Sequence, residues 1–251
     1  MHDNTGKISQ LSLVIPVLNE EENISSLAHE IAGIRKEEDS FEVIFIDDHS
    51  TDRTPDIIKE LMARFSWIHT IRLSRQSGQS AALWHGVHAS RFPLIATMDG
   101  DGQNDPADIG EMIKVYQKLS ADNPCCLVNG WRTGRQDSGW RKFCSCIANS
   151  IRRRLLKDDT PDSGCGIKIF SRETFLALPA FAHMHRFLPA LVRQRGGKVV
   201  SVPVNHRARK AGKSHYGTMD RLFAGIPDLF GVLWLGKRAI RLELAGEREN
   251  D

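Results

Sequence analysis

Short apolar runs alternate with amphipathic stretches through the first half of this 251-residue chain. Leu11–Val17 is an apolar run rich in β-branched residues, ended by the turn-prone Asn19, and predicts a buried strand. Glu20–Ile34 follows with Ile24, Leu27, Ala28, Ile31 and Ile34 at helical spacing. Phe41–Ile46 reads as a second strand closed by Asp47-Asp48-His49-Ser50. Thr51–Phe65 then reads as a helix with Pro55 near its first turn. Ile68–Leu73 predicts a third strand, Ser80–Ala89 a small-residue helix after the Gly78 turn, and Leu94–Met98 a fourth strand. Ala107–Leu119 and Cys126–Gly130 continue the alternation.

Strands interleaved with helices of this length predict an α/β fold, a mostly parallel sheet with helices on both faces. The polar residues gather after the strands: Asn19 and Glu20, Asp47 and Asp48, Asp99 and Asp101. Open α/β sheets bind their ligands at that edge. Neither a G-x-G-x-x-G after the first strand nor a G-x-x-x-x-G-K-[ST] is present, which removes the main support for dinucleotide and P-loop readings.

The second half is less regular and reads as insertions at one sheet edge. A basic helix is expected over Gly139–Leu156 and a strand over Val199–Val204. A very basic loop, His206–Ser214, follows. Met219–Leu244 predicts one or two amphipathic helices broken near Pro227. The expected division is residues 1–215 as the main domain, with a donor half at about 10–125 and an acceptor half at 126–215. Residues 216–251 form a C-terminal helical part.

Charge sharpens this picture. Residues 1–125 carry 20 acids and 11 bases, whereas residues 126–251 carry 11 acids and 23 bases. A basic C-terminal half calls for an anionic partner: nucleic acid, anionic lipid or a phosphorylated substrate. No apolar run approaches the roughly 20 residues that span a bilayer, and MHDNTGKISQ has no signal-peptide character. The five cysteines are odd in number and lack zinc-ligand spacing, which fits reduced thiols in a cytoplasmic setting.

Asp99-x-Asp101-x-Gln103 is the sharpest local signal. Two carboxylates leaving a strand into a Gly-rich turn can share one hard cation, Mg²⁺ or Mn²⁺, with substrate phosphates. A surface turn has the same composition. The two earlier acidic strand ends favour the metal.

Three segments occur in order: Val14-Ile15-Pro16-Val17-Leu18-Asn19-Glu20-Glu21, Ile46-Asp47-Asp48-His49-Ser50-Thr51-Asp52 and Met98-Asp99-Gly100-Asp101-Gly102-Gln103. With Asp162–Lys168 and Arg209–Tyr216 they resemble the family-2 inverting glycosyltransferases of GT-A fold. The D-x-D-x-Q form with Pro106 is similar to the polyprenyl-phosphate subgroup, typified by dolichyl-phosphate mannose synthases. The resemblance covers about residues 10–240. It implies donor contacts from Pro16, Glu20, Asp47, Asp48, Gly78, Gln79 and Asp99, and a divalent cation held by Asp99, Asp101 and Gln103. It further implies that Arg132, Arg141, Asp162, Arg209 and Ser214 bind the acceptor phosphate. Asp99, Asp101, Arg132 and Arg209 then carry catalysis. Gln79 stands where many relatives have lysine, and His215 where many have lysine.

The implied reaction moves a sugar from GDP-mannose or a UDP-sugar to a polyprenyl phosphate at the cytoplasmic membrane face. Peripheral contact is expected through Leu222–Leu235 and the bases Lys237, Arg238 and Arg241, or through a membrane-anchoring subunit or a second copy. Three alternatives stand beside it. One is transfer to a saccharide or protein hydroxyl, with Asp162 as the base to test. The others are a non-catalytic subunit and an anion-binding module; no nucleic-acid motif is present. Arg152–Arg154 reads as a solvated helix face, and Trp67, Trp84 and Cys165 as packing residues. His183, His185 and His206 lack acidic partners in sequence.

Overall fold

The computed structural model describes residues 10–35, 40–133, 152–208 and 218–238, the last helix with its side chains from residue 225 onward. Seven strands form one sheet: β1 Leu11–Val17, β2 Phe41–Asp47, β3 Ile68–Arg72, β4 Leu94–Thr97, β5 Cys126–Arg132, β6 Lys168–Ser171 and β7 Lys198–Val204. Their order is β3-β2-β1-β4-β6-β5-β7, and every pairing is parallel except those of β6 with β4 and β5. The expected α/β architecture is present. β5 and β7 fall where strands were expected, but the second half differs from its reading as insertions, because β6 and β7 extend the same sheet. The sequence signal of β6 is faint, four residues that include a lysine.

The period of two along the strands sorts side chains to two cores. Leu13, Ile15, Val43 and Phe45 face one layer, with α1 Ile24–Ile34, α2 Thr54–Arg64 and α4 Asp108–Asp122. Val14, Ile44 and Ile46 face the other, with α3 Gln79–Ala89, α5 Arg172–Leu176 and α6 Leu188–Gln194. A final helix, α7 Thr218–Arg238, continues through Pro227 as one element. Its Val232 is fully buried against the second core, and its Val232 carbonyl accepts a bond from Gln194 Nε2 at 3.1 Å. Gly139–Leu156 lies mostly outside the described residues, with 152–156 helical.

α3 lies close to the sheet because Gly86 has no side chain. A Cβ there would stand 2.3 Å from Val14 Cγ1 and 3.0 Å from Ile46 Cγ1. Gly86→Ala is therefore expected to cost about 1–3 kcal/mol through overpacking. A urea titration checks this; an unchanged midpoint would show that α3 can lift from the sheet.

Two expectations change. Arg152 is buried, and its guanidinium donates to Asp158 Oδ2 and the Thr160 carbonyl, each at 2.5 Å. His183 has an acidic partner, Asp228 of α7, at 2.9 Å. Both partners are brought by tertiary structure, which charge runs do not reveal. Trp67 packs against Phe41 and Phe65, and Cys165 is fully buried with its thiol pushed up to about 11 by burial.

Candidate active site

The strand order reverses between β1 and β4, so their C-terminal ends open a crevice. β1 outruns β4: pairing to β4 covers Leu11–Val14, while pairing to β2 continues to Val17. Pro16 faces the side where β4 has already ended, so its missing N–H leaves no ladder bond unmade. The turn after β4 occupies that space. A Cβ on Gly100 would stand 2.7 Å from Val17 Cγ1 and 3.2 Å from the Pro16 carbonyl.

The loops after β1 and β2 are stitched together at one end of the crevice. Asn19, in the left-handed region at φ 53°, accepts from the Thr51 amide at 2.8 Å, and its own amide donates to Ser50 Oγ at 3.0 Å. The Glu20 amide donates to Thr54 Oγ1, and the Glu20 carboxylate accepts from Asn23 Nδ2 at 2.7 Å. Asp47 is buried; it accepts from the Ser50 amide at 2.8 Å and faces Arg72 at 3.2 Å. Asp48 accepts from the Ser77 and Gly78 amides at 2.6 and 2.8 Å. It thereby fixes the turn in which Gly78 takes φ 87°.

Asp99 is the centre of the crevice. Gln79, at the start of α3, donates to Asp99 Oδ1 at 2.8 Å through Nε2. This neutral amide binds the carboxylate without neutralising it. Gly166 gives the carboxylate its room, since a Cβ there would lie 2.2 Å from Asp99 Oδ2. Burial, and next the charge of Asp101, hold the Asp99 carboxyl above its ordinary range. Lys168, Arg132 and Gln79 pull it back down.

The other end of the crevice is built from β5 and the 162–168 segment. Arg132 Nε donates to Asp162 Oδ2 at 2.6 Å, and Arg132 Nη2 to Asp162 Oδ1 at 2.8 Å. Burial works against the guanidinium's charge, but the Asp162 bonds and charge prevail and hold it firmly protonated. Lys168 lies beneath, buried on β6, and donates to the Cys165 carbonyl. Burial lowers its ammonium below the ordinary value, against the pull of Cys165, Asp99 and Asp162. Arg141, Arg209 and Ser214 lie outside the described residues.

Pro16, Gly78, Gln79, Asp99, Asp101, Gln103, Arg132 and Asp162 thus stand at one sheet edge. Sequence reasoning missed Lys168 and Gly166 as site residues. A lone lysine inside Ile167-Lys168-Ile169-Phe170 was the available signal, because a charge in a buried strand needs partners.

The donor set also fits a divalent cation. Mg²⁺ and Mn²⁺ sites use one or two carboxylates completed by substrate phosphates. Asp99 and Asp101 supply two whose mutual repulsion a cation would relieve, and Gln103 adds a neutral oxygen. Among the described residues, no cluster of three His, Cys, Asp or Glu side chains forms a closed metal cage.

The profile of glycosyl transferase family 2 matches residues 12–178. The chain belongs to glycosyl transferase family 2. It is 35% identical over 230 residues to dodecaprenyl-phosphate galacturonate synthase of Rhizobium johnstonii, covering 90% of this chain and 67% of that one. It is 30% identical over 214 residues to undecaprenyl-phosphate 4-deoxy-4-formamido-L-arabinose transferase of Edwardsiella ictaluri, covering 84% and 64%. The chain thus spans about two thirds of the length of these relatives. Among solved structures it is similar to glucosyl-3-phosphoglycerate synthase of Mycobacterium tuberculosis bound to Mn²⁺, UDP and glucosyl-3-phosphoglycerate. That match has a TM-score of 0.65 at 18% identity, over 93% of this chain and 81% of that one. The GT-A fold expected from the motifs is the fold found.

Proposed function

We propose that this family-2 member is an inverting glycosyltransferase that moves one sugar from a nucleotide-diphosphate sugar, GDP- or UDP-linked, to a polyprenyl phosphate. One observation carries the reading: the carboxylate pair Asp99 and Asp101 shares a crevice with the Arg132–Asp162 pair above buried Lys168. Acids suited to a diphosphate-bound cation thus adjoin a cation suited to a phosphate. The two relatives named for polyprenyl-phosphate acceptors support the same acceptor class.

In the proposed reaction a phosphate oxygen of the acceptor forms a bond to the anomeric carbon. The bond from that carbon to the diphosphate breaks, and its electron pair leaves with the nucleoside diphosphate. The acceptor is already ionised at neutral pH, so no proton has to move. A bound Mg²⁺ or Mn²⁺ supplies charge compensation for the departing diphosphate. Asp99 and Asp101, with the Gln103 oxygen, would hold it. Asp48 keeps the Ser77–Gly78 turn in place beside the donor. Arg132, with Arg141, Arg209 and Ser214, orients the acceptor phosphate.

Transfer to a hydroxyl is the poorer reading. It needs a carboxylate able to take a proton, and both Asp162 oxygens receive bonds from Arg132. Parallel assays with polyprenyl phosphate and the matching polyprenol test the choice. Transfer to the phosphate alone is expected; transfer to the alcohol would favour the hydroxyl reading.

The acceptor class also requires a membrane surface, and α7 provides the means. No helix among the described residues is long and apolar enough to cross a membrane. Ile226, Phe230 and Trp234, one helical turn apart, are 48%, 64% and 57% exposed, while Val232 faces the body. Lys237 and Arg238 follow, and the Arg238 guanidinium lies 5.4 Å from the Trp234 ring centre. This arrangement suits a helix lying in the headgroup region, at the cytoplasmic face. Replacing Phe230 and Trp234 by serine is expected to weaken binding to anionic vesicles about tenfold or more. Co-sedimentation checks this. Equal binding by the variant would move the contact elsewhere.

A further inference from the structure

The turn that bears Asp101 and Gln103 is held from outside by a segment that no donor motif includes. Asn205 starts the contact: its amide donates to Asp108 Oδ2 at 2.8 Å and its side-chain nitrogen to Asp108 Oδ1 at 3.0 Å. His206 then pairs antiparallel with Asn104. Arg207 completes it through main chain and side chain together. Its amide donates to the Gln103 carbonyl at 2.9 Å, and its carbonyl accepts from Gln103 Nε2 at 3.3 Å. Its guanidinium bridges Glu30 of α1 at 2.5 Å and Asp105 at 2.7 Å.

The Gln103 contact has a chemical consequence. A carbonyl can accept only from the amide nitrogen, so the Arg207 carbonyl decides which end of the Gln103 carboxamide is tied down. The oxygen, the one atom of that group able to ligate a hard cation, is the end that the Arg207 carbonyl does not hold. Without the tie the carboxamide can rotate and offer its NH₂ to the cation site.

We infer that Arg207 is a positioning residue: it presents the Gln103 carboxamide oxygen to the donor's divalent cation and braces the turn against Glu30 and Asp105. The inference rests on the proposed metal-dependent reading and adds a residue outside the donor motifs. It also explains why Asp105 and Asp108 follow the D-x-D-x-Q segment so closely: they hold Arg207 and Asn205, and take no part in a cation cage.

Outer residues that orient a ligand typically change metal affinity 10–100-fold when removed. Arg207→Ala is therefore expected to raise the Mn²⁺ concentration for half-maximal binding at least tenfold. The readout independent of turnover is the electron paramagnetic resonance signal of free Mn²⁺, titrated with protein and saturating UDP or GDP. Turnover at saturating Mn²⁺ should fall by less than threefold, because Asp99 and Asp101 remain. Arg207→Lys keeps one ion pair and should lie between the two. Glu30→Gln, on α1 and outside the D-x-D-x-Q turn, should shift Mn²⁺ binding in the same direction and covers the case in which Arg207→Ala does not fold. Wild-type-like Mn²⁺ binding in these variants would overturn the inference while leaving the proposed function standing. A wild-type chain that binds no Mn²⁺ with either nucleotide would overturn the metal reading itself.

Discussion

Asp101→Asn is expected to slow sugar transfer on the order of 10³-fold, the scale on which preorganised charge acts at such centres. The substitution changes charge and little else. Asp101 Oδ1 accepts from the Gln103 amide at 3.1 Å, and an asparagine oxygen can do the same. The electrostatics make the variant informative in a second way. Asp101 is one of the causes that raise the Asp99 carboxyl, after burial. A carboxyl raised in the folded chain begins to cost stability as the pH passes its unfolded value, where the unfolded chain ionises first, and costs it in full above its folded value. Removing the Asp101 charge lowers that cost. The melting temperature at neutral pH should therefore stay level or rise while transfer collapses. Initial rates and thermal melts on one preparation test both parts. A matching loss of stability would recast Asp101 as structural, and an unchanged rate would remove it from the mechanism.

The second large effect is one of stability. Arg132→Leu leaves the Asp162 carboxylate, 7% exposed, without the guanidinium that binds both of its oxygens. Breaking a buried pair from one side typically costs about 3–5 kcal/mol, because the remaining charge stays buried. The double variant Arg132→Leu with Asp162→Leu removes both charges and should recover part of that loss, as a denaturant cycle would show. Activity should not recover with it if Arg132 orients the acceptor phosphate as proposed, since the guanidinium is gone in both variants. If the double variant were both stable and active, the pair would be a structural strut and the acceptor phosphate would sit elsewhere.

The first half of the fold was legible because its physics is local. Apolar runs of five to seven residues, helical spacing in α1 and α2, and acids after each strand can all be read from neighbours in sequence. β1 through β4 accordingly fall where the pattern puts them. β6 was not legible: four residues, one a lysine, carry no clear period, and the strand exists because β4 and β5 each offer it an antiparallel edge. The acidic site residues were visible as strand-end motifs, whereas their supports were not. Gly166 matters only because the Asp99 carboxylate comes from 67 positions away, and Lys168 only because the same crevice surrounds it. Arg152 and His183 show the same limit. Each looks solvent-facing or unpartnered in sequence, and each meets its carboxylate through the fold.

Whether this chain moves a sugar onto a polyprenyl phosphate is read by a transfer assay. The purified chain would be incubated with a short polyprenyl phosphate, Mn²⁺ or Mg²⁺, and a panel of GDP- and UDP-sugars including GDP-mannose. The measured quantity is sugar entering the organic phase, with and without chelator. Glycolipid formation from one donor, abolished by chelator and by Asp101→Asn, is the expected result. Donor binding or hydrolysis with no sugar reaching the lipid phosphate, for any donor on the panel, would contradict it.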